Sequence, residues 1–126
     1  KKKAEKKILT KLKENNIDFI CLAGFMKILS KKIINKYKNK ILNIHPSLLP
    51  KYKGLNTHKR VILNKEKFTG CTVHIVTSKL DSGKIILQRK IKILKNDSEK
   101  TLSKRLLKVE NQLYPRAVRK FINVNL

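Results

Sequence analysis

The sequence predicts an α/β fold in which parallel strands are followed by an antiparallel pair, with helices on both faces of the sheet. In the first half of the chain, helical patterns alternate with short buried-strand patterns, which is typical of a parallel sheet with crossover helices. In the second half, the short turn Asp81–Gly83 joins two strand patterns and favours an antiparallel pair. At 126 residues, the chain is expected to form a single domain over 1–126.

The elements of the first half follow from the spacing of apolar residues. Apolar residues at helical spacing predict a helix over 4–15. A continuous apolar run over 18–24 predicts a strand buried on both faces. Ser30 is a suitable cap for a second helix, and residues 40–44 form a second buried strand that ends before His45.

The second half contains four further elements. They are a short helix over 57–64, strands over 70–76 and 84–93, and a final amphipathic helix that begins at Ser98 or Thr101. Tyr114-Pro115 predicts a break or kink in this final helix, because proline cannot donate the helical hydrogen bond. We found no internal repeat or low-complexity linker.

The composition is strongly basic, with a formal net charge of +24. Such a charge could indicate a protein that binds nucleic acid or an anionic membrane surface. However, only five of the 32 basic residues are arginines, the lysines are scattered, and aromatic residues make up 6% of the chain. We therefore interpret the charge as a lysine-rich solvated surface, and we expect neither specific nucleic-acid binding nor a membrane span.

The two cysteines lie far apart in apolar stretches. Cys21 and Cys71 are expected to be buried free thiols in a reducing compartment. The cysteines and histidines show no metal-ligand spacing, so no zinc site is expected.

Asn43 and His45 are the first candidate site residues. Strand alternation places both side chains on one face at the carboxyl end of a strand, where open parallel sheets bind ligands. Pro46 favours an extended conformation of His45. An amide beside an imidazole suits a reaction that builds negative charge on a carbonyl oxygen. The alternative is that both side chains satisfy loop backbone groups.

Asp81 is the second candidate, because a carboxylate near His45 would favour the imidazolium and orient it. The alternative is a simple turn residue before Ser82-Gly83. His58 and His74 are expected to be structural or surface histidines.

An ordered set of motifs makes most of the chain similar to the glycinamide ribonucleotide formyltransferase family. The motifs are LAGFMKIL at 22–29, NIHPSLLP at 43–50 followed by KYKG at 51–54, GCTVHIV at 70–76 and LDSG at 80–83. The resemblance runs from Asp18 to about Phe121 and corresponds to the C-terminal two-thirds of the enzyme. It implies the family's Rossmann-like sheet.

The resemblance also implies three sets of site residues. The catalytic residues would be Asn43, His45 and Asp81. The folate pocket would comprise Met26, Lys27, Ile28, Leu29, Asn43, Thr77, Ser78, Lys79, Leu80 and Asp81. The phosphoribosyl substrate would contact Leu107, Lys108, Val109 and Glu110, with Glu110 on the ribose hydroxyls; core packing is the alternative for Leu107 and Val109.

The implied reaction is formyl transfer from 10-formyltetrahydrofolate to the amine of glycinamide ribonucleotide, in cytoplasmic purine (IMP) biosynthesis. Asn43 and protonated His45 would donate hydrogen bonds to the developing oxyanion. Asp81 would keep His45 charged and help a water molecule to remove the amine's proton. No metal is implied, and the oligomeric state is left open.

The chain departs from the family pattern in three respects. Asn56 replaces a usual histidine, and Lys84 replaces a usual proline. The family's N-terminal strands and glycine-rich phosphate loop have no counterpart, so we expect the sequence to be truncated at its N-terminus. Methionyl-tRNA formyltransferase and formyltetrahydrofolate deformylase are the related alternatives, and a basic nucleic-acid-binding protein is the alternative outside the fold.

Overall fold

The computed structural model describes residues 2–23 and 29–125. Within these ranges the elements are α1 (Lys2–Glu14), β1 (Ile20–Ala23), α2 (Lys31–Lys36), β2 (Ile41–His45), α3 (Thr57–Leu63), β3 (Phe68–Ile75), β4 (Ile85–Lys92) and α4 (Glu99–Asn125). No helix in these two ranges is long and apolar enough to cross a membrane.

The four strands form one sheet in the order β1-β2-β3-β4. β1 and β2 are parallel, whereas β2 pairs antiparallel with β3, and β3 pairs antiparallel with β4. The predicted fold class, parallel strands followed by an antiparallel pair, is therefore confirmed.

The sheet carries helices on both faces because the side chains of β2 alternate. Leu42 and Ile44 belong to the larger core cluster, in which they pack with residues of α4 such as Phe121. Ile41 belongs to a second cluster with Ile33 and Tyr37, against which apolar residues of α1 also pack. By alternation, Asn43 and His45 share the face of Ile41 rather than the face that α4 covers.

The prediction that β1 is buried on both faces is wrong. Ile20 and Leu22 are half-buried, whereas Cys21 and Ala23 are exposed. The physical reason is that Ile20 and Leu22 pack against the cluster of Ile33, whereas neither Cys21 nor Ala23 belongs to a core cluster of the described residues. The same observation corrects the expectation that Cys21 is buried, while Cys71 in β3 is fully buried as predicted.

Of the break or kink predicted at Pro115, the break is wrong, because α4 runs continuously from Glu99 to Asn125 with Pro115 inside it, and the kink stays a prediction. Leu113, Ala117 and Phe121, which flank the proline, all pack into the larger core cluster. This packing stabilises both halves of the helix on the sheet and compensates for the hydrogen bond that the proline cannot donate.

The turn between β3 and β4 is held close to the strand by a glycine. A Cβ atom on Gly83 would lie 1.5 Å from the backbone oxygen of Ile75. Next to it, the Ile75 N–H donates to the Lys84 carbonyl at 2.8 Å. This close approach fixes where Asp81, two positions before Gly83, lies relative to the strands.

Candidate functional site

Asn43 and His45 are supplied by β2, whose five residues are all buried. Asn43 is 3% exposed, and His45 is 0% exposed. In the sheet register, Asn43 is opposite His74, and His45 is opposite Thr72. Four polar residues therefore lie side by side on the sheet face that α4 does not cover.

Asp81 comes to this cluster from the β3–β4 turn. Its Oδ1 lies 3.6 Å from His45 Nδ1, and the residue is 5% exposed. Its backbone has a positive φ of 49°, a conformation that aspartate tolerates better than most residues. Its Oδ2 accepts a hydrogen bond of 2.9 Å from the Gly54 N–H. The structure thus brings together His45 and Asp81, which are 36 positions apart.

Both ring nitrogens of His45 face oxygen atoms that act as hydrogen-bond acceptors. Nε2 donates to the Tyr52 carbonyl at 2.9 Å. Nδ1 is buried, has no hydrogen-bond partner within the described part of the chain, and faces the Asp81 carboxylate. Each ring nitrogen therefore faces an oxygen atom that can accept a hydrogen bond from it. Nδ1 is the nitrogen available to donate to a reacting oxygen.

His74 lies closer to the site than the sequence indicated. Its Nε2 is 3.9 Å from Asp81 Oδ1, and its Nδ1 is 3.2 Å from the Ile75 carbonyl oxygen. Burial lowers the pKa of His74 below 6.5, although the Ile75 carbonyl and Asp81 act in the opposite direction. The sequence offered one signal for this position. His74 has the strand parity that places its side chain on the face of Asn43 once the register of the two strands is known.

The loop after β2 is held against the sheet by a buried threonine. Thr72 Oγ1 donates to the Ser47 carbonyl at 2.7 Å and accepts from the Leu49 N–H at 3.1 Å. Gln88 of β4 donates to the Leu49 carbonyl at 2.8 Å. These contacts fix the path by which the loop leaves His45.

Apart from Asn43 and Asp81, the residues predicted for the folate pocket lie in two segments. Met26, Lys27 and Ile28 lie outside the described residues, whereas Leu29 is half-buried against the cluster of Ile33. The second segment, 77–80, is a turn that leads into Asp81. In it, Thr77 Oγ1 accepts from the Lys79 N–H at 3.2 Å, and the Leu80 carbonyl accepts from Ser82 Oγ at 2.8 Å.

The residues predicted to meet the phosphoribosyl substrate lie in the middle of α4. Leu107 is 54% exposed and Lys108 is also exposed, so core packing does not account for Leu107. Val109 does pack against the core cluster. Glu110 is half-buried, four positions after the core residue Leu106, and burial raises the pKa of its carboxyl group.

The chemistry that these groups can perform is hydrogen-bond donation and proton transfer. The buried imidazole, amide and carboxylate can stabilise a developing oxyanion and accept a proton nearby. In residues 2–23 and 29–125, no group of three or more histidine, cysteine, aspartate or glutamate side chains could hold a metal ion.

Comparisons with known proteins give a consistent family. The sequence profile of the family described as formyl transferase matches residues 1–118. The chain is 43% identical over 109 residues to phosphoribosylglycinamide formyltransferase of Escherichia coli (strain K12), covering 86% of this chain and 51% of the relative. It is 46% identical over 107 residues to the trifunctional purine biosynthetic protein adenosine-3 of Homo sapiens, covering 85% of this chain and 11% of the relative. The chain thus spans about half of the bacterial relative and a small part of the trifunctional one.

Solved structures agree with this result. The crystal structure of phosphoribosylglycinamide formyltransferase from Brucella melitensis matches with a TM-score of 0.89 and 48% identity, over 96% of this chain and 62% of that chain. A formyltetrahydrofolate deformylase from Pseudomonas syringae matches with a TM-score of 0.85 and 29% identity, over 90% of this chain and 38% of that chain.

Proposed function

Since the chain belongs to the formyl transferase family, we propose that the protein transfers the formyl group of 10-formyltetrahydrofolate to the amine of glycinamide ribonucleotide. This reaction is a step of purine biosynthesis. The observation that carries the proposal is the buried contact of 3.6 Å between His45 Nδ1 and Asp81 Oδ1, beside Asn43. The identities of 43–47% to relatives named for this reaction support the choice of substrate.

His45 is a hydrogen-bond donor to the oxyanion in this proposal. Because Nε2 is engaged by the Tyr52 carbonyl, Nδ1 donates to the oxygen on which negative charge develops. Asn43 lies on the same strand face and stabilises the same charge. The folate supplies the activated formyl group. Asp81 pairs with the imidazolium and, through a water molecule, accepts the proton that the amine loses. The bond between the formyl carbon and N10 of the folate then breaks, and the departing nitrogen takes up a proton by way of the same water molecule.

The residues fit a folate and a phosphoribosyl substrate in two further respects. The turn 77–80 leads directly to Asp81, so a pterin held there would lie beside the carboxylate. Leu107 and Glu110 of α4 are exposed and half-buried respectively, and a carboxylate on this helix can accept hydrogen bonds from ribose hydroxyls.

The proposed function is tested by supplying the full-length protein with 10-formyltetrahydrofolate and one acceptor at a time. We expect rapid formyl transfer to glycinamide ribonucleotide, and little transfer to water or to methionyl-tRNA. Release of formate at the same rate with and without glycinamide ribonucleotide would instead identify a deformylase.

Asp81→Asn separates catalysis from binding in the same assay. We expect a loss of roughly 10²–10⁴ in kcat, because the carboxylate acts mainly in the transition state. Folate affinity should be nearly unchanged, and asparagine can still accept the Gly54 N–H bond. Ser82→Ala, at the exposed neighbouring position, is the matched control. Near-normal turnover of Asp81→Asn would make Asp81 a simple turn residue.

A further inference from the structure

We propose that Tyr52 is a positioning residue for His45: its side chain, anchored beside α3, holds the backbone carbonyl that accepts the Nε2 proton. The inference rests on the proposed function for its kinetic consequences. Its structural part, the anchoring of the carbonyl, is independent of which formyl acceptor the protein uses.

The loop segment around Tyr52 contacts both charged groups of the site. The Tyr52 carbonyl lies 2.9 Å from His45 Nε2. Two residues later, the Gly54 N–H donates to Asp81 Oδ2 at 2.9 Å. The Tyr52 carbonyl decides which ring nitrogen remains for the reaction, because a carbonyl oxygen can only accept.

The side chain of Tyr52 is held by three residues at and after α3. The Tyr52 hydroxyl donates to Glu66 Oε2 at 3.0 Å. The Asn64 side-chain amide donates to the same hydroxyl at 3.0 Å. The Arg60 guanidinium lies 5.4 Å from the centre of the ring. The aromatic side chain is therefore attached at its face and at its polar tip.

The backbone at Tyr52 needs such an anchor. Its φ is 56°, in the left-handed region that is unfavourable for an aromatic residue. A residue in this conformation persists when surrounding contacts over-determine it. The contacts of the ring supply that constraint, and the carbonyl of the same residue is what reaches His45.

Two explanations for the position of the carbonyl can be separated by substitution. If the side chain holds it, then Tyr52→Phe, which removes the hydroxyl contacts, and Tyr52→Asn, which removes the ring, both release it. If the backbone alone holds it, Tyr52→Asn is harmless, because asparagine adopts the left-handed region readily. Glu66→Ala removes the acceptor of the hydroxyl, whereas Glu66→Gln retains one.

The matched control is Lys51→Met. Lys51 Nζ lies 3.9 Å from Glu66 Oε2, and its side chain is 70% exposed. This variant removes the ion pair at Glu66 but leaves the Tyr52–Glu66 hydrogen bond in place. It therefore separates the effect of the Lys51 charge near Glu66 from the effect of the hydrogen bond that anchors the Tyr52 ring.

The direct readout is the exchange of the His45 Nε2 proton with water, measured by NMR on histidine-labelled full-length protein. Its signal is assigned by its disappearance in His45→Gln. In Tyr52→Phe, Tyr52→Asn and Glu66→Ala, we expect exchange to be roughly 5- to 10-fold faster, as for the loss of one net hydrogen bond. In Glu66→Gln and Lys51→Met, we expect the exchange rate of the unsubstituted protein.

The kinetic readout is the separate effect on kcat and on KM. In the three anchor-loss variants, kcat falls roughly 3- to 30-fold while the KM values change less than about twofold, because the imidazole is misplaced but binding is intact. Unchanged proton exchange in folded Tyr52→Phe and Glu66→Ala overturns the inference even if formyl transfer is observed. Faster exchange in a protein without formyl transfer overturns the proposed function alone.

Discussion

At the scale of single residues, the histidines of the site differ in what surrounds them. His45 has oxygen atoms facing both ring nitrogens. His74 is 2% exposed, and burial is the largest influence on its pKa, which lies below 6.5. Burial also lowers the pKa of the half-buried His58 of α3. Two of the three histidines thus favour the neutral form when the protein is folded.

This difference predicts that the folded protein loses stability as the pH falls below about 6.5. The unfolded state binds protons at His74 first, because the pKa of His74 is lower in the folded state. The free energy of unfolding therefore decreases towards acid pH, by at most about 1.4 kcal/mol per pH unit for this residue. Urea unfolding between neutral pH and mildly acid pH measures the slope.

His74→Gln should make that slope shallower, because it removes the contribution of His74. His58→Gln should independently remove the smaller or larger contribution of His58, whose pKa burial also lowers. A slope that His74→Gln leaves unchanged would contradict the neutral assignment of His74.

The sequence identified three residues that the structure brings together on one face of the sheet, but not the residues that contact them there. Asn43 and His45 follow from strand parity, and Asp81 from its turn and the family motif. Their roles remain predictions. Tyr52 was missed because its contact with His45 is made by a backbone carbonyl, which any residue type possesses. His74 was missed because its proximity to Asp81 depends on the register of β2 and β3.

At the scale of elements, the start of α4 is held by one carboxylate. Asp97 Oδ2 accepts from the Leu94 N–H at 2.7 Å, and Oδ1 accepts from Thr101 Oγ1 at 2.9 Å. Arg105 donates to both oxygens at 2.7 and 2.8 Å. Burial alone would raise the pKa of Asp97, but these hydrogen bonds outweigh it and hold the pKa below 3.8.

Asp97→Ala should therefore lower the free energy of unfolding by about 1–3 kcal/mol near neutral pH. The contribution of Asp97 is present above pH 3.8 and is lost as the pH falls below that value, because the unfolded carboxyl group protonates first. Urea unfolding at neutral pH and near pH 3 measures both effects. Glu99→Ala, at the exposed first residue of α4, is the control. An equal loss in both variants would argue against the Asp97 network.

Local sequence patterns predicted which helices and strands form. The wrong predictions concern how these elements pack against the rest of the protein. Ser30 caps α2 by accepting from the Ile33 N–H, as its sequence position indicated. The exposure of Cys21 could not be predicted from the apolar run, because the run does not reveal which faces of the strand are covered. Pro115 was expected to interrupt α4, but packing of Ala117 and Phe121 overrides the local preference.

At the scale of the whole molecule, four of the eight carboxylates have the contacts described here. Of eight acidic residues, Glu66 binds Tyr52, Asp97 binds Arg105 and Asp81 faces His45. Glu5 accepts from the Ser30 N–H at 2.8 Å and so joins α1 to the start of α2. The 32 basic residues exceed what these acids can neutralise, so like-charge repulsion opposes the compact state.

This surplus predicts that salt stabilises the protein. Between about 0.01 M and about 0.15 M salt, the Debye length falls from about 30 Å to about 8 Å, so repulsion between surface lysines is screened. We expect Tm to rise over this range, as measured by thermal unfolding in sodium chloride. Sucrose at matched osmolality is the control for general osmolyte effects. A falling Tm would mean that attractive ion pairs dominate the surface.

The two glycines that flank the site restrict sequence variation in different ways. A side chain at Gly83 would collide with the backbone of Ile75, so every replacement forces β3 and the turn apart. At Gly54 there is open space, and the constraint is a φ of 85°. We therefore expect a side chain to be excluded at Gly83, whereas asparagine at position 54 could adopt the same φ and still present its N–H to Asp81. A steric constraint at one glycine and a conformational constraint at the other thus act on the surroundings of the same carboxylate.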